Sequence, residues 1–260
     1  MKTSNHLLRR LTAALLAAVL ALSIALPVFA SDDGDTIYIN SVSDLLSLAR
    51  SCAYDQWSVG KTVILQKDLS LEGMLWEPIP SFSGQFKGNG HTISDLTITG
   101  QYSPAGLFGI VEEQGSIESL SVRGVVSVSD SADTTTGGIA GINHGTLISC
   151  QFTGVVTGDS EVGGIVGRNE SEGTIDHSTA RAIVTGKSST GGIAGYNLGA
   201  ITGCTNVGSI NTEYPEASLD TDGFTAKMVD YINNKMAAAD DDATNSVTNV
   251  ATDTGGIGDG

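Results

Sequence analysis

Four glycine boxes decide the fold: Ala105-Gly106-Leu107-Phe108-Gly109, Gly137-Gly138-Ile139-Ala140-Gly141, Gly163-Gly164-Ile165-Val166-Gly167 and Gly191-Gly192-Ile193-Ala194-Gly195. Their second glycines stand at 106, 138, 164 and 192, so the repeat length varies only between 26 and 32 residues. A landmark glycine follows each box, at 115, 145, 173 and 199, and counting from it aligns the repeats without a gap. The second position reads Ile117, Leu147, Ile175, Ile201, and the fifth Leu120, Cys150, Ser178, Cys204. The seventh is Val122, Phe152, Ala180, Asn206, the ninth Gly124, Gly154, Ala182, Gly208, and the eleventh Val126, Val156, Val184, Ile210. Only Asn206 and Ser178 depart from an apolar-or-small pattern.

Steps of two residues from the fifth to the eleventh position are strand periodicity with one face turned inward. Thr, Ser, Arg, Gln and Asp stand between them, as an outer face requires. A repeat of this length, with short strands, abundant glycine and no helix, fits one coil of a parallel β-solenoid of six or seven coils. A single coil cannot bury its apolar face, so neighbours stacked ~4.8 Å apart must build a continuous core. The glycines are expected at corners where φ > 0 or a tight turn is needed. A β-sandwich is the rival, but it has turn signals every 8–12 residues and no long fixed period.

Composition agrees with an all-β solenoid and narrows the function. Of 260 residues, 33 are Gly and 16% are charged, and the net charge of −16 argues against a nucleic-acid partner. Lys2, Arg9 and Arg10 precede an apolar run from Leu11 to Leu26, then Pro27 and Val28-Phe29-Ala30. That is the pattern of a secretory signal peptide cleaved after Ala30. Its sixteen apolar residues are short for a span of about 20. Without residues 1–30 the chain has 10 bases against 29 acids, and no further apolar stretch of spanning length. The expectation is an exported acidic protein with no membrane span after signal removal.

The boxes, the last three followed by Asn and all four by a glycine and then Ile or Leu, resemble the GLUG repeat of bacterial secreted and cell-surface proteins. The stretch Trp76-Glu77-Pro78-Ile79-Pro80 through Gly84-Gln85-Phe86-Lys87-Gly88-Asn89-Gly90-His91-Thr92-Ile93 resembles the segment that opens such β-helices. The resemblance covers about residues 36–212. It implies a right-handed parallel β-helix used as a stalk or binding surface. The repeat occurs in adhesin-like proteins and beside the peptidase domain of immunoglobulin-A-cleaving metalloproteases, so it is weak for activity.

The solenoid is expected over 31–212, with its N-terminal cap at about 36–62. An uncovered β-helix end would add strands from another chain. Ser41-Val42-Ser43-Asp44 looks like a capping start, and Leu45, Leu46, Leu48 and Ala49 share one helical face. A short amphipathic helix over 43–53 is therefore expected to close the first coil, flanked by strands Thr36–Ile39 and Thr62–Leu65. Residues 213–260 hold 10 acids and 2 bases. Phe224, Met228, Tyr231 or Ile232, and Met236 recur at helical spacing, which predicts a helix over 223–238. Thr254-Gly255-Gly256-Ile257-Gly258 looks like a further box, so 213–253 reads as an insertion and the end as a truncated repeat.

The chemistry-bearing residues mostly have structural readings. Gly106, Gly109, Gly138, Gly141, Gly164, Gly167, Gly192 and Gly195 are coil corners rather than phosphate cradles, because no Lys-Ser/Thr and no strand–glycine–helix unit follows. Asn143, Asn169 and Asn197 lie five residues after each second box glycine and would stack as an amide ladder. Cys150 and Cys204 share the fifth column with Ser178 between them. Two coil steps put them about 10 Å apart, beyond the ~7 Å limit for a disulfide. They are expected as buried free thiols, and three scattered cysteines make a zinc site improbable. His91, His144 and His177 fall in turns or on outer faces with no His-Glu-x-x-His pattern.

A β-helix enzyme acting on polysaccharide would gather acids and bases on one outer face. Arg123, Arg181, Asp176 and Glu118 look isolated, with no common column. Asp130, Asp133, Asp159 and Glu161 precede the boxes and read as solvated turn acids or a weak calcium corner. No cofactor and no catalytic residue is expected. The expected function is a non-catalytic, adhesin-like or stalk module for an extracellular protein or glycan. A carbohydrate-active lyase or hydrolase, or an accessory domain of a larger surface protease, is the alternative.

Overall fold

The computed structural model of the protein describes residues 35–54, 56–128 and 134–211. They form a parallel β-solenoid of about six turns with one short helix. Residues 1–30 of the signal reading, Asp130 and Asp133, the helix expected over 223–238 and the box at 254–258 lie outside the described residues.

Four stacks of parallel strands make the walls. The first sheet joins Thr36–Ile39, Thr62–Leu65, Gln85–Lys87, Ser116–Glu118, Thr146–Ile148, Thr174–Asp176 and Ala200–Thr202. The second runs Leu69–Ser70, Thr92–Gly100, Ser121–Val128, Gln151–Thr157 and Thr179–Thr185, with Thr205–Asn206 and Ser209–Ile210 side by side at its end. The third is Ile79–Phe82, Phe108–Val111, Ala140–Asn143, Val166–Asn169 and Ala194–Asn197. A short fourth sheet, Thr135–Gly137, Glu161–Gly163 and Thr190–Gly191, lies between the second and third in chain order.

The strand register reproduces the sequence columns. Ile37, Val63, Phe86, Ile117, Leu147, Ile175 and Ile201 are in register through all seven strands of the first sheet. In the second sheet Val122, Phe152, Ala180 and Asn206 align, as do Val126, Val156, Val184 and Ile210. Because side chains alternate with period two, a slip of one residue would turn every one of these outward. The register is therefore fixed by burial. Near the N-terminal end the core is aromatic. Phe108 stands 5.3 Å from Phe82 and 5.5 Å from Phe86, and the Trp76 indole N–H donates to Leu107 O at 3.1 Å.

Two details differ from the sequence expectation. The tenth column, read as outer, is buried at Val125, Val155 and Ile183. In the ninth column just before them, a Cβ on Gly124 or Gly154 would strike the carbonyl oxygen of Leu96 or Gly124 in the preceding turn, while Ala182 keeps its methyl buried. Secondly, the box glycines are not left-handed. Among the described residues the glycines with positive φ are Gly60, Gly73, Gly90, Gly100, Gly154 and Gly203. The left-handed corner between the first and second sheets is held instead by Ser119 (φ 50°), Ser149 (52°), His177 (45°) and Gly203 (62°).

Helix α1 spans Val42–Ser51. The Ser41 hydroxyl accepts from Asp44 N at 3.2 Å, and the Asp44 carboxylate reaches back to accept from Asn40 N at 2.9 Å. These two bonds, with Asp44 N also donating to Ser41 O, fix the entry of the chain into the helix. Leu45 and Leu48 bury their side chains completely, and the helix packs against Thr36–Ile39 and Ile79–Phe82 at the N-terminal end of the stack.

Candidate functional site

Interior polar columns begin in the third turn. Asn143 Nδ2 donates to Asn169 Oδ1 at 2.7 Å, and Asn169 Nδ2 to Asn197 Oδ1 at 2.8 Å. Asn143 Nδ2, Asn169 Nδ2 and Asn197 Nδ2 also donate to Gly145 O, Gly173 O and Gly199 O respectively, closing the turn that follows each asparagine. The column ends at Val111, the register partner of Asn143, and the buried Oδ1 of Asn143 has no hydrogen-bond donor.

Cys150, Ser178 and Cys204 form a second column. Cys150 N donates to Ser178 Oγ at 3.1 Å, and Ser178 N to Cys204 Sγ at 3.4 Å. The Cys150 thiol in turn donates to Ile117 O, and the Ser178 hydroxyl to Asp176 O. Ser178, an exception in the apolar pattern, thus serves the stack by accepting a backbone N–H from the turn before it. Cys52, Cys150 and Cys204 are all buried free thiols. Burial pushes the Cys52 and Cys150 thiols up to about 12, and raises Cys204 as well. Thiols so protonated are poor nucleophiles and poor metal ligands.

The box glycines act by close approach. A Cβ on Gly138 would enter the Phe152 ring, and one on Gly192 the Asn206 amide. Gly164 meets Gly192 O and the Ala180 methyl, and Gly106 lies against Phe108 O and Ala140. The last box glycines face the preceding turn: Gly109 against Pro80 O, Gly141 against Pro104, Gly167 against Thr136 N, Gly195 against Val162 N. Each position excludes a side chain because backbone or a core ring already fills the space.

The outer charges are ordered differently from the sequence reading. Glu118 and Asp176 do share a column, with Ile148 between them, and Arg123 and Arg181 share another across Thr153. Each pair is two strand spacings apart, about 10 Å, so neither pair shares a single ligand or proton. Several other charges are matched locally. His91 Nδ1 lies 3.1 Å from Asp68 Oδ1, which also accepts from Thr92 N, and these contacts hold the Asp68 carboxyl below its ordinary value. His177 Nδ1 meets Asp176 Oδ1 at 2.8 Å, and Lys187 Nζ meets Asp159 Oδ1 at 2.7 Å. Among the described residues no three His, Cys, Asp or Glu side chains are grouped to hold a metal ion.

The outer face of the third sheet carries the most differentiated surface. Ser81, Ile110, Ile142, Arg168 and Tyr196 align there in successive turns. Arg168 lies over the Tyr196 ring at 5.0 Å, and its guanidinium is held by Glu161 at 3.0 Å and Glu170 at 2.7 Å. At the opposite end of the strip a cavity of about 300 Å³ opens beside Ser81 and Ser83. Its other walls are Gln56 and Val59 from the segment after α1, and Glu112, Glu113 and Gln114 from one turn. Ser81 Oγ donates to Glu112 Oε1 at 2.7 Å. Sequence reasoning missed this cleft, since its walls come from three separated segments with no shared motif.

These features define a solenoid repeat protein whose turns are built on glycine boxes and in-register polar columns. The family model of the GLUG motif matches residues 158–185, the length of one full turn, so the chain is a parallel β-solenoid carrying the GLUG motif. Halomucin of Haloquadratum walsbyi is 32% identical over 155 residues, 55% of this chain but 2% of that protein. A protein of Evansella cellulosilytica named "Putative Gly-rich membrane protein" is 29% identical over 137 residues, 38% of this chain and 16% of that protein. The chain thus spans a small fraction of the length of these relatives. A crystal structure of a "putative immunoglobulin A1 protease" from Bacteroides ovatus superposes with a TM-score of 0.45 at 15% identity, covering 72% of this chain and 80% of that one. No helix among the described residues is long and apolar enough to cross a membrane.

Proposed function

We propose that the solenoid is a non-catalytic extracellular module, exported by cleavage after Ala30 and displayed at or beyond the cell surface, where it binds a protein or glycan in an adhesin-like manner. The carrying observation is modularity. One turn is the unit that the GLUG motif describes, and the stretch matched in halomucin is 2% of that protein. A repeat whose recurring positions are consumed by stacking extends a long polypeptide and leaves its outer face free to vary. Halomucin and a protein named for a membrane are relatives in which such an extension suits a surface role.

The test has two readouts on purified 31–260: binding on glycan and extracellular-protein arrays, and release of reducing or unsaturated ends from the same polysaccharides. Binding without release is the expected result. Turnover of any polymer overturns the non-catalytic reading. Expression of the full chain should yield a product beginning at Ser31 outside the cell, read by N-terminal sequencing, and retention of residues 1–30 would overturn the export step.

A further inference from the structure

We propose that the cleft beside Ser81 receives a basic side chain of an extended partner peptide, which then runs across the outer face of the third sheet. The inference rests on the binding-module reading and names the ligand class and the surface. The cleft holds two carboxylates, Glu112 and Glu113, and no Lys or Arg among its walls. The salt bridges of the described residues leave both glutamates without a cationic partner. Gln56, Gln114 and Ser83 surround the acids with hydrogen-bond acceptors, and Val59 supplies an apolar wall against which the stem of Lys or Arg can lie. A volume of about 300 Å³ suits one long side chain with its backbone, at the lower bound of small-ligand sites. The chain's net charge of −16 draws basic partners from a distance.

The strip beyond the cleft favours a peptide over an amino sugar. Ile110 and Ile142 follow Ser81 in register, so the ligand leaving the cleft crosses two branched aliphatic side chains about 5 and 10 Å away. Alternate residues of an extended peptide are spaced ~7 Å apart, so the next side chain on the same face falls between Ile110 and Ile142 and can lie against both. A sugar ring would instead gain from stacking on a free aromatic platform. The ring of this strip, Tyr196, is stacked by Arg168, which Glu161 and Glu170 hold in place.

Nuclear magnetic resonance titration of isotope-labelled 31–260 tests this. The probes are N-acetyl-arginine amide, N-acetyl-lysine amide, N-acetyl-glutamine amide, a glucosamine trimer and the peptide acetyl-Arg-Gly-Ile-Gly-Ile-Gly-amide. The arginine or lysine amide should give saturable shifts confined to residues 56–59, 81–83 and 112–114, with none for the glutamine amide. The hexapeptide should bind at least threefold more tightly and extend the shifts to 110 and 142. The Glu112→Gln/Glu113→Gln pair keeps the Ser81 acceptor and should weaken both at least tenfold, while Ile110→Thr/Ile142→Thr should remove only the hexapeptide's gain. Equal shifts with the glutamine amide, equal affinity in the glutamate variant, or preference for the glucosamine trimer would overturn the proposal. The array experiment stands apart, because turnover or array silence does not depend on these shifts.

Discussion

The turns before and after residue 134 solve the same stacking problem with different materials. In the earlier ones the interior is filled by Trp76, Phe82, Phe86 and Phe108, all at most 2% exposed. In the later ones the third-sheet position that holds Phe82 and Val111 is taken by Asn143, Asn169 and Asn197. The corner column similarly passes from Leu120 to Cys150, Ser178 and Cys204. An apolar filler stabilises by area and opposes a slip only through burial, whereas an amide or hydroxyl rung is also satisfied only when its neighbour stands one strand away. The aromatic half therefore rests on cohesion and burial, and the polar half adds hydrogen-bonded register to them.

That division is broken most strongly by Phe108→Ala. The ring touches both Phe82 and Phe86, and its loss should cost about 3–5 kcal/mol, the range for a buried phenylalanine truncation. Chemical denaturation of 31–260 should show the midpoint falling sharply with the slope unchanged. A loss below about 1 kcal/mol would mean that the aromatic half is not where cohesion lies.

The amide ladder gives the next largest effect and a position-dependent one. Asn169 both accepts from Asn143 and donates to Asn197 and Gly173 O. Asn169→Ala leaves buried partners on two sides and should cost roughly 2–3 kcal/mol, given about 1–3 for each buried group left unpaired. Asn197→Ala, at the half-buried end, should cost about 1 kcal/mol or less. Equal costs would show that the asparagines act singly. The reverse experiment is Val111→Asn, which offers a donor to the unpartnered Asn143 Oδ1 and a second one toward Gly115 O. Its expected thermal midpoint equals or exceeds that of the parent. A fall equivalent to about 2 kcal/mol, as for an unsatisfied buried amide, would place the end of the ladder by design at Asn143.

How much of this was legible in the sequence depends on which neighbour decides a residue's role. The second, seventh and eleventh columns are visible because inward and outward positions differ in polarity along one chain. Helix α1 is visible because Ser41 and Asp44 satisfy donors only three or four residues away. Contacts along the stack and across its interior are not so visible. The box glycines look like corners, yet what forbids a side chain at Gly138 is the Phe152 ring reaching across the interior from the second sheet. Ser178 looks like a flaw until Cys150 N, 28 residues earlier, is seen to donate to it. Glu118 and Asp176 could have been found at a common offset from Gly115 and Gly173, and counting the outer columns as carefully as the inner ones would have paired them. The cleft joins residues near 56, 82 and 113, which no periodicity links.

The smallest effect concerns the thiol column and is read by pH. A buried thiol whose folded value is about 12 remains protonated in the folded chain, while the same thiol in the unfolded chain ionises near ~8.5. The folded state therefore binds more protons at alkaline pH. The contribution of Cys150 is complete below about pH 8.5 and is lost progressively as pH rises from there toward 12. Cys52 adds in the same direction. The thermal midpoint should thus decline above about pH 9, and Cys150→Ser should flatten part of that decline, because a hydroxyl does not titrate in this range. Serine at the neighbouring rung, Ser178, already accepts a backbone N–H from the turn before it, so the substitution keeps the column's chemistry. If the alkaline decline is identical in Cys150→Ser and the parent, the buried thiols carry none of it.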